Sequence, residues 1–258
     1  MKTIAVIILL FFTQLVYGQL EEEDVIREKE KTPKQEFKDK FYLGLVSSYY
    51  IDFVTAPLSF DRLRVGAEPD PNDPTKYIDK YENVPFQTTY NSFFSMGVEP
   101  RYNIKDFNKN LAFGIAAPIT IGFGQAFASN ENVFGASGFG SIQVPILAKI
   151  YLGTASTYAS DEDFGLSAGV GFEINKIGII APGASELEQD AMRAWVMPSA
   201  SAAVHFWRGT SPMEVNVKYG FGPISEYRTD KYGQVLSQGP RSTRASSIKL
   251  TFVYLMNY

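Results

Sequence analysis

The chain has no cysteine and one histidine, His205, among its 258 residues. Without cysteine there are no disulfide staples, no thiol catalysis and no cysteine-containing metal site. There is also no cysteine to carry the acyl group of a lipoprotein. A lone histidine offers little to a transition metal, so neither a metal nor any other cofactor is expected. A charge of one sign is missing too. The 24 Lys and Arg stand against 28 Asp and Glu, a net charge of −4, which gives nucleic acid no basic surface to bind. Beyond the first nineteen residues no segment holds roughly 18 consecutive apolar residues, which excludes a helical membrane protein. Strands that cross a membrane are not excluded, because only every second residue of such a strand must be apolar.

What is present begins with the leader. Lys2 is followed by an apolar run from Ile4 to Val16, broken only by Thr13 and Gln14, and then by Val16-Tyr17-Gly18. The order of a positive start, an apolar stretch and small residues is that of a secretory signal peptide over 1–18. The run is too short for a spanning helix of about 20 residues. Residues 19–39 carry Glu21-Glu22-Glu23-Asp24 and Arg27-Glu28-Lys29-Glu30-Lys31 with Pro33. They read as a charged, flexible or partly helical lead-in on the periplasmic side.

From Phe41 the apolar period changes to two. The spacing predicts eight strands in 40–258. The first runs Phe41, Leu43, Leu45, Tyr49, Ile51, Phe53 on one face. The second has Phe94, Met96, Val98, Tyr102 and Ile104 on one face and Phe93, Ser95, Gly97, Glu99 and Arg101 on the other. The third, from Leu111 to Gly124, is the clearest alternation, and five more follow to Tyr258. Long polar stretches follow the first, third, fifth and seventh strands, at about 55–85, 126–140, 176–192 and 223–242. Short turns follow the second, fourth and sixth, at 105–110, at Ser160-Asp161-Glu162-Asp163 and at 208–212. Hairpins with short turns at one end and long loops at the other are the pattern of an outer-membrane barrel. The apolar faces carry no charge. The opposite faces are mostly Gly, Ala, Ser and Thr, as suits a cramped interior. A soluble barrel would need a charged outer face instead.

With a signal peptide, about eight strands, alternating connections and a terminal strand ending Phe252-Val253-Tyr254-Leu255-Met256-Asn257-Tyr258, the chain resembles the small OmpA/OmpX-type outer-membrane barrels. The leader and interior pattern also resemble Bacteroidetes examples, including PorT-like barrels associated with secretion. The resemblance implies an all-β, eight-stranded antiparallel up-and-down transmembrane β-barrel in a bacterial outer membrane. It also implies insertion by the barrel-assembly machinery, through the terminal aromatic residue.

The inward-facing ionisable groups are Glu99, Arg101, Lys149, Glu173, Glu214, Lys218 and Lys249, with His205. Glu99, Arg101, Lys149, His205 and Glu214 are expected towards the short-turn end, with Lys218 and Lys249 nearer the middle. Their mixed signs predict a network that plugs the interior, since unpaired charges in so narrow a space are costly. The expected role is therefore structural or interactive, a scaffold or secretion-associated protein and not an enzyme. Its partners would be outer-membrane lipid, the assembly machinery and an envelope protein complex. The first long loop is the leading contact region, with Tyr77 and Tyr81 as candidates. Two alternatives stay open: a narrow gated pore for ions or small solutes, and a lipid-modifying enzyme. For the latter, Ser201 lies on the same face as His205 but roughly 13 Å along the strand, too far for a direct hydrogen bond.

Overall fold

A computed structural model describes residues 33–129, 134–180, 194–227 and 241–256. The signal segment 1–18, most of the lead-in and Tyr258 lie outside the described residues. The described residues are all-β apart from one short helix, α1 (Pro33–Lys40). Eleven strands follow: β1 (Phe41–Tyr49), β2 (Asp52–Thr55), β3 (Ser59–Asp70), β4 (Asp73–Asn108), β5 (Leu111–Ala116), β6 (Ile119–Ser129), β7 (Phe134–Gly153), β8 (Phe164–Ile180), β9 (Trp195–Arg208), β10 (Ser211–Tyr227) and β11 (Arg241–Leu255).

All pairings are antiparallel, and the sheet closes in a ring. Each stave pairs with the next in sequence. β1 closes the circuit by pairing with β4 on one side, from Phe41↔Tyr102 to Tyr49↔Phe94, and with β11 on the other, at Gly44↔Leu255 to Ser47↔Phe252. Two staves are broken. β1 and β2 are successive parts of one stave, since both pair with β4 and β11. β5 and β6 are parts of another, both pairing with β4 and β7. With these merged, eight staves surround the interior, and β3 stands outside the ring, paired only with β4.

Each break has a local cause. Between β5 and β6 stands Pro118, which has no N–H to give to a ladder. Between β1 and β2, Tyr50 takes a positive φ of 57°, and its N–H donates to Phe93 O. Opposite it, β4 slips register between Ser92 and Phe94. Such a bulge inserts one residue and shifts the face alternation. Phe93, expected inside, is for this reason outside and half exposed.

The stretch 55–85, expected as a loop, is mostly strand. β3 and the first part of β4 form a hairpin around Asp70↔Asp73, with bulges at Arg64/Gly66 and Pro69/Asp70. Its prolines fit because, among the described residues, neither edge of the hairpin outside the ring pairs with a further strand. The turn is tied by side chains: Asp70 Oδ1 accepts from Asn72 N at 2.8 Å, and Asp73 Oδ1 accepts from Thr75 Oγ1 at 2.6 Å. The Thr75 hydroxyl, then Lys76, hold the Asp73 carboxyl below its ordinary value. The other long connections are shorter than expected, since β6, β8 and β10 run on to Ser129, Ile180 and Tyr227.

The outer face is an apolar belt. Met96, Val98, Ile119, Ile146, Phe172 and Val217 are each more than a third exposed. Lys105 and Arg208 stand where the belt ends on the short-turn side, and Lys176 and Arg244 on the other, all exposed. Between these limits every charged residue of the ring strands points inward. Rings gather at both belt edges. Phe37 of α1 stacks on Phe41 and Tyr102 at 5.5 and 5.6 Å, and Tyr49, Phe94 and Phe123 form a second group.

Candidate functional site: the ring interior

The inward face is set by strand alternation. It delivers eight predicted ionisable groups to the interior: Glu99 and Arg101 from β4, Lys149 from β7, Glu173 from β8, His205 from β9, Glu214 and Lys218 from β10, and Lys249 from β11. Asp52 of β2 joins them. The most exposed of the nine is Lys218, at 5%. Among the described residues, four acids (Asp52, Glu99, Glu173, Glu214) share the interior with four basic side chains (Arg101, Lys149, Lys218, Lys249).

These groups fall into two clusters. Nearer the short-turn end, Lys149 Nζ donates to Glu214 Oε1 at 2.6 Å, and Asn216 Nδ2 donates to the same oxygen at 3.0 Å. His205 Nε2 lies 3.7 Å from Glu214 Oε2 and hydrogen-bonds Ser167 Oγ at 2.8 Å. Arg101 is clamped between two rings, its guanidinium carbon 3.3 Å from the centre of Tyr151 and 4.4 Å from that of Tyr42. Such stacking of a desolvated cation is strongly attractive. Arg101 Nε and Nη2 also donate to Asn103 Oδ1, both at 3.1 Å. Glu99 lies in the combined field of Glu214, Lys149 and Arg101.

The second cluster lies nearer the middle. Lys249 Nζ pairs with Asp52 Oδ2 at 3.1 Å and donates to Thr120 Oγ1 at 2.9 Å. Gln143 bridges, donating to Asp52 Oδ1 at 2.7 Å and accepting from Lys218 Nζ at 3.2 Å. Lys218 also pairs with Glu173, whose Oε1 accepts from Asn175 Nδ2 at 2.8 Å. The bonds join β10 to β7 and to β8, and β7 to β2, so they cross the interior and do not follow one wall. A cavity of about 20 Å³ remains beside Lys218, Lys249, Gln143 and Thr120. That is room for about one water molecule.

Apolar layers stand above and below. On the long-loop side, Val54, Ala56, Tyr90, Ala126 and Ile177 form a buried cluster with Trp195 against it. On the short-turn side, Tyr42, Val46, Val253 and Leu255 pack with Ala155, and Tyr158 joins them. Ala155 does not belong to a wall. It sits in the β7–β8 connection, residues 154–163, which the sequence predicts as a plain turn at 160–163. The connection instead folds into the mouth of the ring. Ser156 O accepts from Arg101 Nη2 at 2.8 Å and Asn103 Nδ2 at 2.7 Å. Tyr158 stacks on Tyr42 at 4.4 Å, and its hydroxyl donates to Phe41 O at 2.9 Å.

Sequence reasoning passed over several of these groups. Asp52 is on the predicted inner face but was not counted with the ionisable set. Ser167 sits two residues along β8 from Gly165, the cross-strand partner of His205, and no single-strand pattern reveals that diagonal neighbour. Ser201, the serine weighed from sequence, does not meet His205. The Ser167–His205 pair is enclosed, and Glu214 approaches the same ring nitrogen as the serine. The imidazole therefore lacks the base-and-orienter arrangement of a hydrolytic triad. Among the described residues no group of three or more His, Cys, Asp or Glu is placed to hold a metal ion.

Outside the ring, Tyr77 is 70% exposed on the hairpin, opposite Pro69, and Ile78 beside it is also exposed. The backbone of Tyr81 pairs with Arg64, but its side chain lies outside the described residues. Compared with known proteins, the chain matches no protein-family model and no curated protein.

Proposed function

We propose that this chain is an integral outer-membrane β-barrel with a plugged interior, and that it acts as a structural or interaction protein through the parts that project beyond the bilayer. The observation that carries this reading is the filled interior. A network of four acids and four basic groups fills the middle between two apolar layers, and the cavity beside Lys218 and Lys249 has room for about one water. An eight-stranded barrel has an interior just wide enough for side chains, and here the side chains occupy it.

The outer belt supports the membrane setting. Along β4 the apolar stretch runs from Phe94 to Ile104, ten residue steps. At about 3.3 Å per step and a tilt near 40°, that gives a height of roughly 25 Å, the height of a barrel's lipid-facing band. Aromatic rings at both margins suit the headgroup level. The leader at 1–18 supports export. The reading is non-enzymatic, and the enclosed Ser167–His205 pair supports that part of it.

The hairpin of β3 and β4 is the proposed contact region. Two strands standing clear of the ring present free edges and the exposed Tyr77 and Ile78, features that a partner strand or surface can use. The partner class is another protein of the cell envelope.

Two measurements test the reading. The purified chain in a planar bilayer should show no conductance above the lipid background, and steady channel activity would overturn the plugged interior. Affinity isolation from native membranes in mild detergent, followed by mass spectrometry, should return a stoichiometric envelope protein. Recovery of the bare barrel would overturn the interaction role.

A further inference from the structure

The three short-turn connections are unequal. The β4–β5 and β9–β10 turns use two residues each, 109–110 and 209–210, whereas the β7–β8 connection uses ten, 154–163. Two residues suffice to join antiparallel neighbours. The surplus is therefore not needed to complete the ring, and it is spent on crossing the mouth. We propose that residues 154–163 are a hinged lid over the short-turn mouth, with the Ser156 carbonyl as its catch. The proposal rests on the plugged-interior reading and adds the part of the plug that moves.

The lid divides into a base and a tip. The base is fastened to its neighbour turn, where Asn110 Nδ2 donates to Glu162 Oε1 at 2.9 Å and Ser160 Oγ donates to Asn110 Oδ1 at 3.0 Å, and the hydroxyls of Ser156 and Thr157 tie the inner part to the same turn through Lys109 O. The tip reaches the far wall. It is held by the two donors on Ser156 O and by Tyr158, whose ring lies on Tyr42 and whose hydroxyl reaches Phe41 O. Between wall and tip the backbone passes through two left-handed residues, Gly153 at φ 71° and Ala155 at φ 59°. That is a sharp reversal confined to the root of the lid, where a few dihedrals suffice to swing it.

The opposite seal is built differently. Val54, Tyr90, Ala126 and Ile177 are side chains of the staves themselves, so that layer cannot open unless the ring deforms. The lid can open with the ring intact, because its catch is a backbone carbonyl on wall donors and the two residues it buries completely, Ala155 and Ser156, are small. Opening would expose Tyr42, Arg101 and the Tyr151 face to the solution on that side, while the upper layer keeps the interior closed to through-flow.

The full chain has no cysteine, so Ser156→Cys places one thiol of nearly the same size at the catch. In the protein reconstituted in liposomes, its alkylation by a charged maleimide reports opening. The rate should be slow, and it should rise by at least about tenfold when Arg101→Gln and Asn103→Ala remove both donors, since each such bond to a charged or amide donor is worth up to a factor of that order. Tyr158→Phe, which keeps the stack and loses the bond to Phe41 O, should give a smaller rise. If the first pair of substitutions does not fold, as judged by heat-dependent gel mobility, Tyr158→Phe and Tyr158→Ala decide the matter. Rates unchanged in every folded variant would make the connection a fixed floor and overturn the proposal. Ser199→Cys, deep in the interior, keeps the two readings apart. Fast labelling there would sink the plugged interior, whereas a shift at Ser156→Cys alone concerns the lid.

Discussion

Lys149 Nζ and Glu214 Oε1 meet at 2.6 Å although their strands, β7 and β10, are separated in the ring by β8 and β9. The pair therefore braces the interior from one side to the other. Both side chains are almost wholly buried, at 0% and 2% exposure. A buried pair of this kind gains little over an apolar pair of equal volume, but losing one partner leaves a bare charge.

Lys149→Met is expected to lower stability by about 3–5 kcal/mol, and the double change Lys149→Met with Glu214→Leu to recover most of that loss. The fluorescence of Trp195 and Trp207 during urea unfolding in detergent measures both. Equal damage from the single and double variants would show that the pair is not the unit that matters.

The belt makes a prediction that separates lipid from water. Ile146 is half exposed at the middle of β7. In a bilayer, Ile146→Arg should cost about 2–4 kcal/mol. On a water-facing surface, the same change should stay within about 0.5 kcal/mol. Unfolding from lipid vesicles gives the number directly, and a value near zero would remove the membrane reading.

Gly220 leaves room for the middle cluster. A Cβ there would stand 2.5 Å from both Glu173 Oε1 and Ser247 Oγ and 2.7 Å from Met197 Cε. Gly220→Val should therefore destabilise by about 1–3 kcal/mol through overpacking. Gly66→Ala, on the hairpin where no atom lies within 4 Å of the new Cβ, should be neutral or slightly stabilising by reducing freedom in the unfolded chain. Thermal unfolding of the two variants side by side checks the contrast.

The hairpin should be separable from the ring. Replacing residues 61–84 by a short Gly-Ser link is expected to leave the heat-dependent gel mobility of the ring unchanged and to abolish recovery of the envelope partner. Tyr77→Ala alone should weaken that recovery. A shortened chain that still brings its partner down would move the contact region elsewhere.

Much of the architecture is legible in one dimension. The period-two alternation from Phe41 onward marks the staves, and the small, uncharged character of one face with its few charges marks the interior. Among the described residues, the nine buried acidic, basic and histidine side chains all lie on faces that alternation alone assigns inward. The departures have particular causes. Phe93 changed sides because a bulge opposite Tyr50 inserts a residue, which no count along one strand can detect. Residues 55–85 looked like a loop because prolines and acids are poor strand formers, yet a two-edged hairpin tolerates prolines where no neighbour needs their N–H.

The sequence by itself determined which residues face in and which face out wherever no bulge intervenes, because side-chain direction in a regular strand is a local property of the backbone. It also set the balance of charges in the interior, which is a property of composition. Only the tertiary structure decided who meets whom: Lys149 with Glu214, Ser167 with His205, and Ser156 O with Arg101 and Asn103. The first and last of these cross the interior and depend on the closure of the ring, whereas Ser167 and His205 meet through the register of the adjacent strands β8 and β9. The turn at 154–163 became a lid for the same reason, since its buried seat exists only once the opposite wall, β1 and β11, has come round to meet it.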